Sequence, residues 1–287
     1  MKTLSIVIVG RNDGYGDEGL TPYNSYAADT FCFRMKRTVK YNTQMLLDRG
    51  VKLQYVIVDW SPIDGKTLDQ DTYIKELIET TGDVIKHVVV HPYVVAQRGW
   101  NPKNFYEYYA KNVGIRNADG DYVLITNPDN LFTEELCDSI VSVLRREVKN
   151  EYYRPYSRKD VRKDIDNNLE VVGEGLSFPK NGLLIDQIMG SPAAGDFLMA
   201  SKNIIVEKSQ GYDETESTHN NKQQTTLDSC IILNLYQSGV FPICLSGSLL
   251  HLDHAKPHPK DYIPIKSYHN IDNWGMLEVE VRSYKKP

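Results

Sequence analysis

Apolar positions in the first half of the chain fall into short unbroken runs, separated by longer stretches of mixed character. Residues 5–9 read SIVIV and stop at Gly10; residues 53–59 read LQYVIVD; residues 84–90 and 122–126 (YVLIT) are similar. Near-continuous β-branched runs of this length predict strands buried on both faces, because each alternating side must meet apolar neighbours. Between them, residues 28–49, 71–80 and 104–117 read as helices, the first two stopped by Gly50 and Gly82. A further helix, 133–149, opens with Thr133-Glu134-Glu135, an acidic first turn that suits the positive end of the helix dipole. This strand–helix alternation predicts an α/β fold with a mostly parallel central sheet flanked by helices.

After residue 150 the rhythm breaks. Short strands at 152–155, 170–172 and 196–200 sit among turns rich in Asp, Asn, Lys and Gly. A helix over 227–237, closed by Gly239, precedes an apolar strand at 240–245. These elements predict a smaller mixed sheet beside the parallel one. The expected organisation is one domain over 1–255, with halves 1–130 and 131–255, and a C-terminal lid or tail over 256–287.

Composition narrows the function classes. The chain has 287 residues, 41% hydrophobic and 25% charged, and a net charge of −5. It lacks a basic block, so it shows no electrostatic footprint for a nucleic-acid backbone. Its length supports a core that needs neither disulfides nor a structural metal. Cys32, Cys137, Cys230 and Cys244 are far apart and form no C-x-x-C pair, which argues against zinc and for a reducing compartment. The opening apolar run is too short for a signal peptide, and nothing approaches the ~20 apolar residues of a membrane span. A cytoplasmic protein is expected, at most peripheral to a membrane.

In open α/β sheets ligands bind beyond the carboxyl ends of the strands. That rule singles out Arg11-Asn12-Asp13, Asp59, His91 and Asn127-Pro128-Asp129-Asn130. Asp129 follows a buried strand and could hold a hard divalent cation against a diphosphate; capping the next helix or closing a turn would explain it equally. Asp59, in VIVDWSPIDGKT, could accept hydrogen bonds from a base or ribose, and a turn-forming aspartate is the plainer alternative.

Taken in order, these pieces resemble family 2 glycosyltransferases with the GT-A fold. The resemblance rests on SIVIVGRND, VIVDWSPIDGKT, the segment Ala110-Lys111-Asn112-Val113-Gly114 leading into the strand before Asn127-Pro128-Asp129, then GDFLMA, GYDE and the helix from Leu227. It covers roughly residues 4–255. The Asn-Pro-Asp form of the family's D-x-D motif is similar to its rhamnosyltransferase-like members, which tilts the expected donor toward a dTDP- or UDP-linked deoxyhexose. The resemblance implies inverting transfer of a sugar from a nucleoside-diphosphate donor to a hydroxyl on a glycan, glycolipid or other acceptor. By position it implies nucleotide contacts from Arg11, Asn12, Asp13, Asp59, Asn112 and Asn127, and acceptor contact from Asp196. It makes Asp129 a ligand of Mn²⁺ or Mg²⁺, completed by His251 with His254 as competitor, and Asp228 the general base. A helix N-terminal acid favoured by the macrodipole is the bland account of Asp228.

Three departures stand out. Asn127 replaces the first D-x-D acid, Leu227 stands where a Glu precedes the base, and the insertion over 14–26 is long and tyrosine-rich. They leave a catalytically inactive nucleotide-sugar-binding module as one alternative. A nucleotidyltransferase is another, although Arg11-Asn12-Asp13-Gly14 is a poor phosphate loop.

Overall fold

The computed structural model describes residues 1–13, 30–163, 169–177, 196–214, 227–252, 270, 273–275 and 277–284. Its parallel half contains β1 (Thr3–Gly10), β2 (Lys52–Trp60), β3 (Ile85–Val90) and β4 (Tyr122–Thr126), in the spatial order β3-β2-β1-β4. The helices between them are α1 (Phe31–Leu47), α2 (Thr72–Thr81), α3 (Pro92–Gln97) and α4 (Glu107–Asn117). β1 shows why the apolar runs are unbroken. Leu4, Ile6 and Ile8 pack on one face with Met35 of α1 and Leu77 of α2, while Val7 and Val9 pack on the other with Val95 of α3 and Val113 of α4. α4 lies so close to β1 that a Cβ on Gly114 would sit 2.3 Å from Val7 Cγ1.

The second half adds β5 (Asn130–Phe132), α5 (Glu134–Arg145), β6 (Glu151–Lys163), β7 (Leu169–Ser177), β8 (Phe197–Ser201), α6 (Leu227–Gln237) and β9 (Phe241–Leu252). These strands do not form a separate sheet. β8 pairs antiparallel with β4, and the order continues β8-β6-β9-β5 in one ten-stranded mixed sheet, with β7 on β6. β6 and β9 run well beyond the expected 152–155 and 240–245, and α5 stops at Arg145. β5 and α3 are additional. Within the stretch expected to be lid and tail, Glu280–Ser283 form β10, antiparallel to β3 on the sheet's edge. Among the described residues no helix is long and apolar enough to cross a membrane.

Candidate functional site

β1 and β2 end side by side, with Gly10 opposite Asp59, so the residues that follow them share one edge. Arg11 pairs with Asp13 at 2.6 Å, donates to the Lys103 carbonyl at 3.0 Å and lies over the Phe105 ring. Asn12 Nδ2 reaches the Thr67 carbonyl at 3.5 Å. Asp59 is fully buried; its Oδ2 accepts from the Leu68 backbone at 2.6 Å and lies 3.5 Å from His87 Nε2. Its Oδ1 is buried and accepts no hydrogen bond among the described residues. A buried acceptor without a donor is costly, and a ligand N–H or O–H would relieve it.

The centre of the site is the loop after β4. Thr38 of α1 donates to the Pro128 carbonyl, and Asn42 donates to the Asn130 carbonyl (2.8 Å) while accepting from Phe132 N (3.0 Å). From the other side Leu252 N donates to the Asp129 carbonyl at 3.0 Å. α1 and β9 thus fix the turn that presents Asp129. Register does the rest: His251 pairs with Asn130 across β5–β9 and with Asp160 across β6–β9. His251 Nδ1 lies 2.9 Å from Asp160 Oδ1, and Nε2 lies 3.8 Å from Asp129 Oδ2. Burial would lower the His251 pKa, but Asp129 and Asp160 outweigh it and hold the imidazole above its ordinary value.

A chain of charged contacts leads onward. Arg158 touches Asp160 at 3.0 Å and Asp196 at 2.9 Å. Asn127 Nδ2 donates to Asp196 Oδ1 at 2.6 Å, and its Oδ1 accepts from Lys111 Nζ at 3.2 Å. Lys111, fully buried between Tyr108 and Tyr212, also donates to Glu107 at 2.6 Å. Asp228 enters this cluster from the N-terminus of α6, its Oδ1 accepting from Ser229 N at 2.9 Å. The residue keeps part of its surface open. Burial nevertheless pushes its carboxyl up to about 6, with Lys111 and Arg154 pulling the other way and Asp196 adding to the rise.

Of the residues singled out from sequence, Asn127, Asp129, Asp196, His251 and Asp228 therefore meet in one electrostatic cluster. Arg11, Asn12, Asp13 and Asp59 lie along the same carboxyl edge. Asn112 does not belong with them. It is fully buried, and its amide donates to the Tyr212 carbonyl and Glu214 Oε1, both at 2.9 Å, while accepting from Tyr212 N at 2.7 Å. Asn112 ties α4 to the 211–214 turn and has no group turned to a nucleotide. His254 and the 14–26 insertion lie outside the described residues. Lys111, Arg154, Arg158 and Asp160 were missed. The strand expected at 152–155 stops short of Arg158 and Asp160; only once β6 is seen to run to Lys163 and pair with β9 do the two share a strand face.

Among the described residues no three His, Cys, Asp or Glu side chains form a group that could hold a metal. A two-ligand site is a different matter, because a divalent ion can take one or two protein ligands and fill its remaining positions from phosphates and water. Adjacent ligands of an octahedral ion stand roughly 3 Å apart, so Asp129 and His251 need close by less than an ångström. Asp160 on the far ring nitrogen is the support that metal-ligating histidines commonly have. The residues fit such an ion.

Comparison with known proteins bears on the fold. No protein-family model and no curated protein matches the sequence. Among solved structures, a mannosyltransferase from Pyrobaculum calidifontis in complex with GDP-Man and Mn²⁺ is similar with a TM-score of 0.50 and 13% identity, over 87% of this chain and 56% of its own. The chain has a GT-A-type fold. S. aureus TarS 1–349 is similar at a TM-score of 0.49 and 10% identity, over 87% of this chain and 60% of its own. The catalytic domain of Drosophila beta1,4galactosyltransferase 7 gives 0.44 and 10%, over 85% and 65%. This chain thus spans little more than half the length of the mannosyltransferase.

Proposed function

We propose that this protein is an inverting, metal-dependent glycosyltransferase that moves a sugar from a nucleoside-diphosphate donor to an acceptor hydroxyl, with Asp228 as general base. The observation that carries this is the cluster at the carboxyl edge of the sheet: Asp129 and His251 stand 3.8 Å apart, Asn127 bonds Asp196, and Asp228 at the start of α6 is a partly open carboxyl that burial pushes up to about 6. Such a group is ionised at neutral pH and more basic than an ordinary aspartate, as a general base should be. In the reaction the acceptor oxygen bonds to the anomeric carbon as the bond to the diphosphate breaks, and the hydroxyl proton passes to Asp228. Attack from the side opposite the leaving group inverts the centre.

On the donor side, Asp59 Oδ1 would accept from the nucleoside, with Asn12 beside it and the Arg11–Asp13 pair bracing the turn; Asn127 would contact the ribose. Asp129 and His251 would hold Mn²⁺ or Mg²⁺, which when bound neutralises charge developing on the diphosphate. The Pyrobaculum calidifontis structure, with GDP-Man and Mn²⁺ on a similar fold, is in keeping with this. Asp196, aligned by Arg158 and Asn127, would face the acceptor, a glycan, glycolipid or other hydroxyl compound.

The test is release of nucleoside diphosphate from a panel of nucleotide sugars with Mn²⁺, with and without EDTA. Release should depend on metal, and Asp228→Asn should bind the donor yet lose turnover. No release from any donor, or Asp228→Asn turning over at the normal rate, would overturn the assignment. Pyrophosphate release from a nucleoside triphosphate and a sugar phosphate would instead indicate a nucleotidyltransferase.

A further inference from the structure

The nucleoside end of the site is braced by the far end of the chain. β10 lies antiparallel to β3 with Arg282 opposite His87, and from this edge Arg282 and Tyr284 reach Leu68–Gln70, a 3₁₀ helix of one turn. Arg282 Nη1 donates to Asp69 Oδ2 at 2.6 Å, and the Tyr284 hydroxyl donates to the same oxygen at 2.9 Å. Thr67 Oγ1 donates to Asp69 Oδ1 at 2.5 Å. The Tyr284 hydroxyl also lies 3.0 Å from His87 Nδ1, and the two rings stack. His87 Nε2 in turn faces Asp59 Oδ2, the oxygen that accepts from Leu68.

Every contact of Asp59 Oδ2 described here is therefore itself held by the C-terminal segment. His87 is held through Tyr284, and the backbone of Leu68 through Asp69 next to it. A lone 3₁₀ turn has weak hydrogen bonds of its own and takes its geometry from what anchors it. Here the anchors are charge-assisted bonds, the stronger kind. Burial alone would raise the Asp69 pKa, but the bonds from Thr67, Arg282 and Tyr284 outweigh it and keep the carboxylate ionised below its ordinary range.

We propose that β10 and Tyr284 form a clasp that sets the position of Asp59 for the nucleoside, with Arg282 and Tyr284 as positioning residues. The clasp rests on the nucleoside role of Asp59 given above. It makes nucleotide affinity depend on residues that touch no substrate and lie more than two hundred positions from the turn they hold.

The experiment titrates UDP, GDP and dTDP, each with Mn²⁺, into the full chain by calorimetry and measures donor KM and kcat. Arg282→Ala should weaken the nucleotide that the unaltered protein binds by roughly tenfold. Tyr284→Phe, which keeps the ring and removes one hydroxyl, should weaken it less. Both should raise donor KM and leave kcat at saturating donor unchanged, Arg282→Lys should recover part of the loss, and Val281→Thr, on the exposed part of the same strand, should change nothing. Asp59→Asn is the reference. If it weakens binding while Arg282→Ala and Tyr284→Phe lower only thermal stability, β10 is merely edge cover and the clasp is wrong. If Asp59→Asn binds normally, the nucleoside role falls and the clasp falls with it.

Discussion

Asp228 links stability and chemistry at the scale of one residue. Its carboxyl is raised from an ordinary 3.8 to about 6, so it binds a proton more readily in the folded chain than in the unfolded one. Ionising it therefore costs stability: the penalty is absent below about pH 4 and complete above about pH 6. Asp228→Asn should stabilise the fold by about 1–2 kcal/mol at pH 8, after discounting for the surface left open to water, and by almost nothing at pH 3.5. Urea unfolding at the two pH values reads this directly. If Asp228 is the base proposed above, transfer by the unaltered protein should fall about tenfold per pH unit below 6, as the carboxylate becomes protonated. Asp160→Asn tests the support of His251 and should weaken Mn²⁺ binding by about 10–100-fold, followed by the electron paramagnetic resonance signal of free Mn²⁺. Asp129 stands out in the sequence because a strand end marks itself locally, whereas Asp228 reads locally as an ordinary helix N-terminal acid and is raised above that only by the family resemblance. Lys111 and Asn112 could not be sorted, because Asn112 meets Tyr212 and Glu214, about a hundred positions away, and Lys111 is identified only by the charges that surround it.

At the scale of elements, legibility follows burial. β1, β2, β3 and β4 are covered on both faces and announce themselves as apolar runs. β6, β7 and β9 pair with register shifts, and β9 passes from largely open to buried along its length, so their true lengths are hidden. β10 is four largely exposed residues, with no periodicity to detect. α4 shows how tightly element packing is tied to the site. Gly114→Ala would place a methyl 2.3 Å from Val7 Cγ1 and 3.1 Å from Val58 Cγ2. The helix must then lift from the sheet at an expected cost of about 1–3 kcal/mol, seen as a lower melting temperature. Because Lys111 rides on the same helix, donor turnover should fall as well, measured at a temperature where the variant remains folded.

At the scale of the whole molecule, the sheet has a seam where parallel β4 meets antiparallel β8. The alternating strand–helix pattern predicted the parallel half. The join was not legible, because a strand's neighbour depends on partners far along the chain. Around this seam stand Asn127 at the end of β4, Asp196 at the start of β8, and Arg158 and Asp160 on β6. Arg158 is shared between Asp160, which steadies His251, and Asp196, which the proposed function turns to the acceptor. Arg158 reaches Asp160 through Nη2 and Asp196 through Nε, so a displacement of this one rigid, planar group at either end moves it relative to the other. Initial-rate and product-inhibition kinetics should accordingly show a compulsory sequence, acceptor following donor, and Arg158→Gln should let the two substrates enter at random.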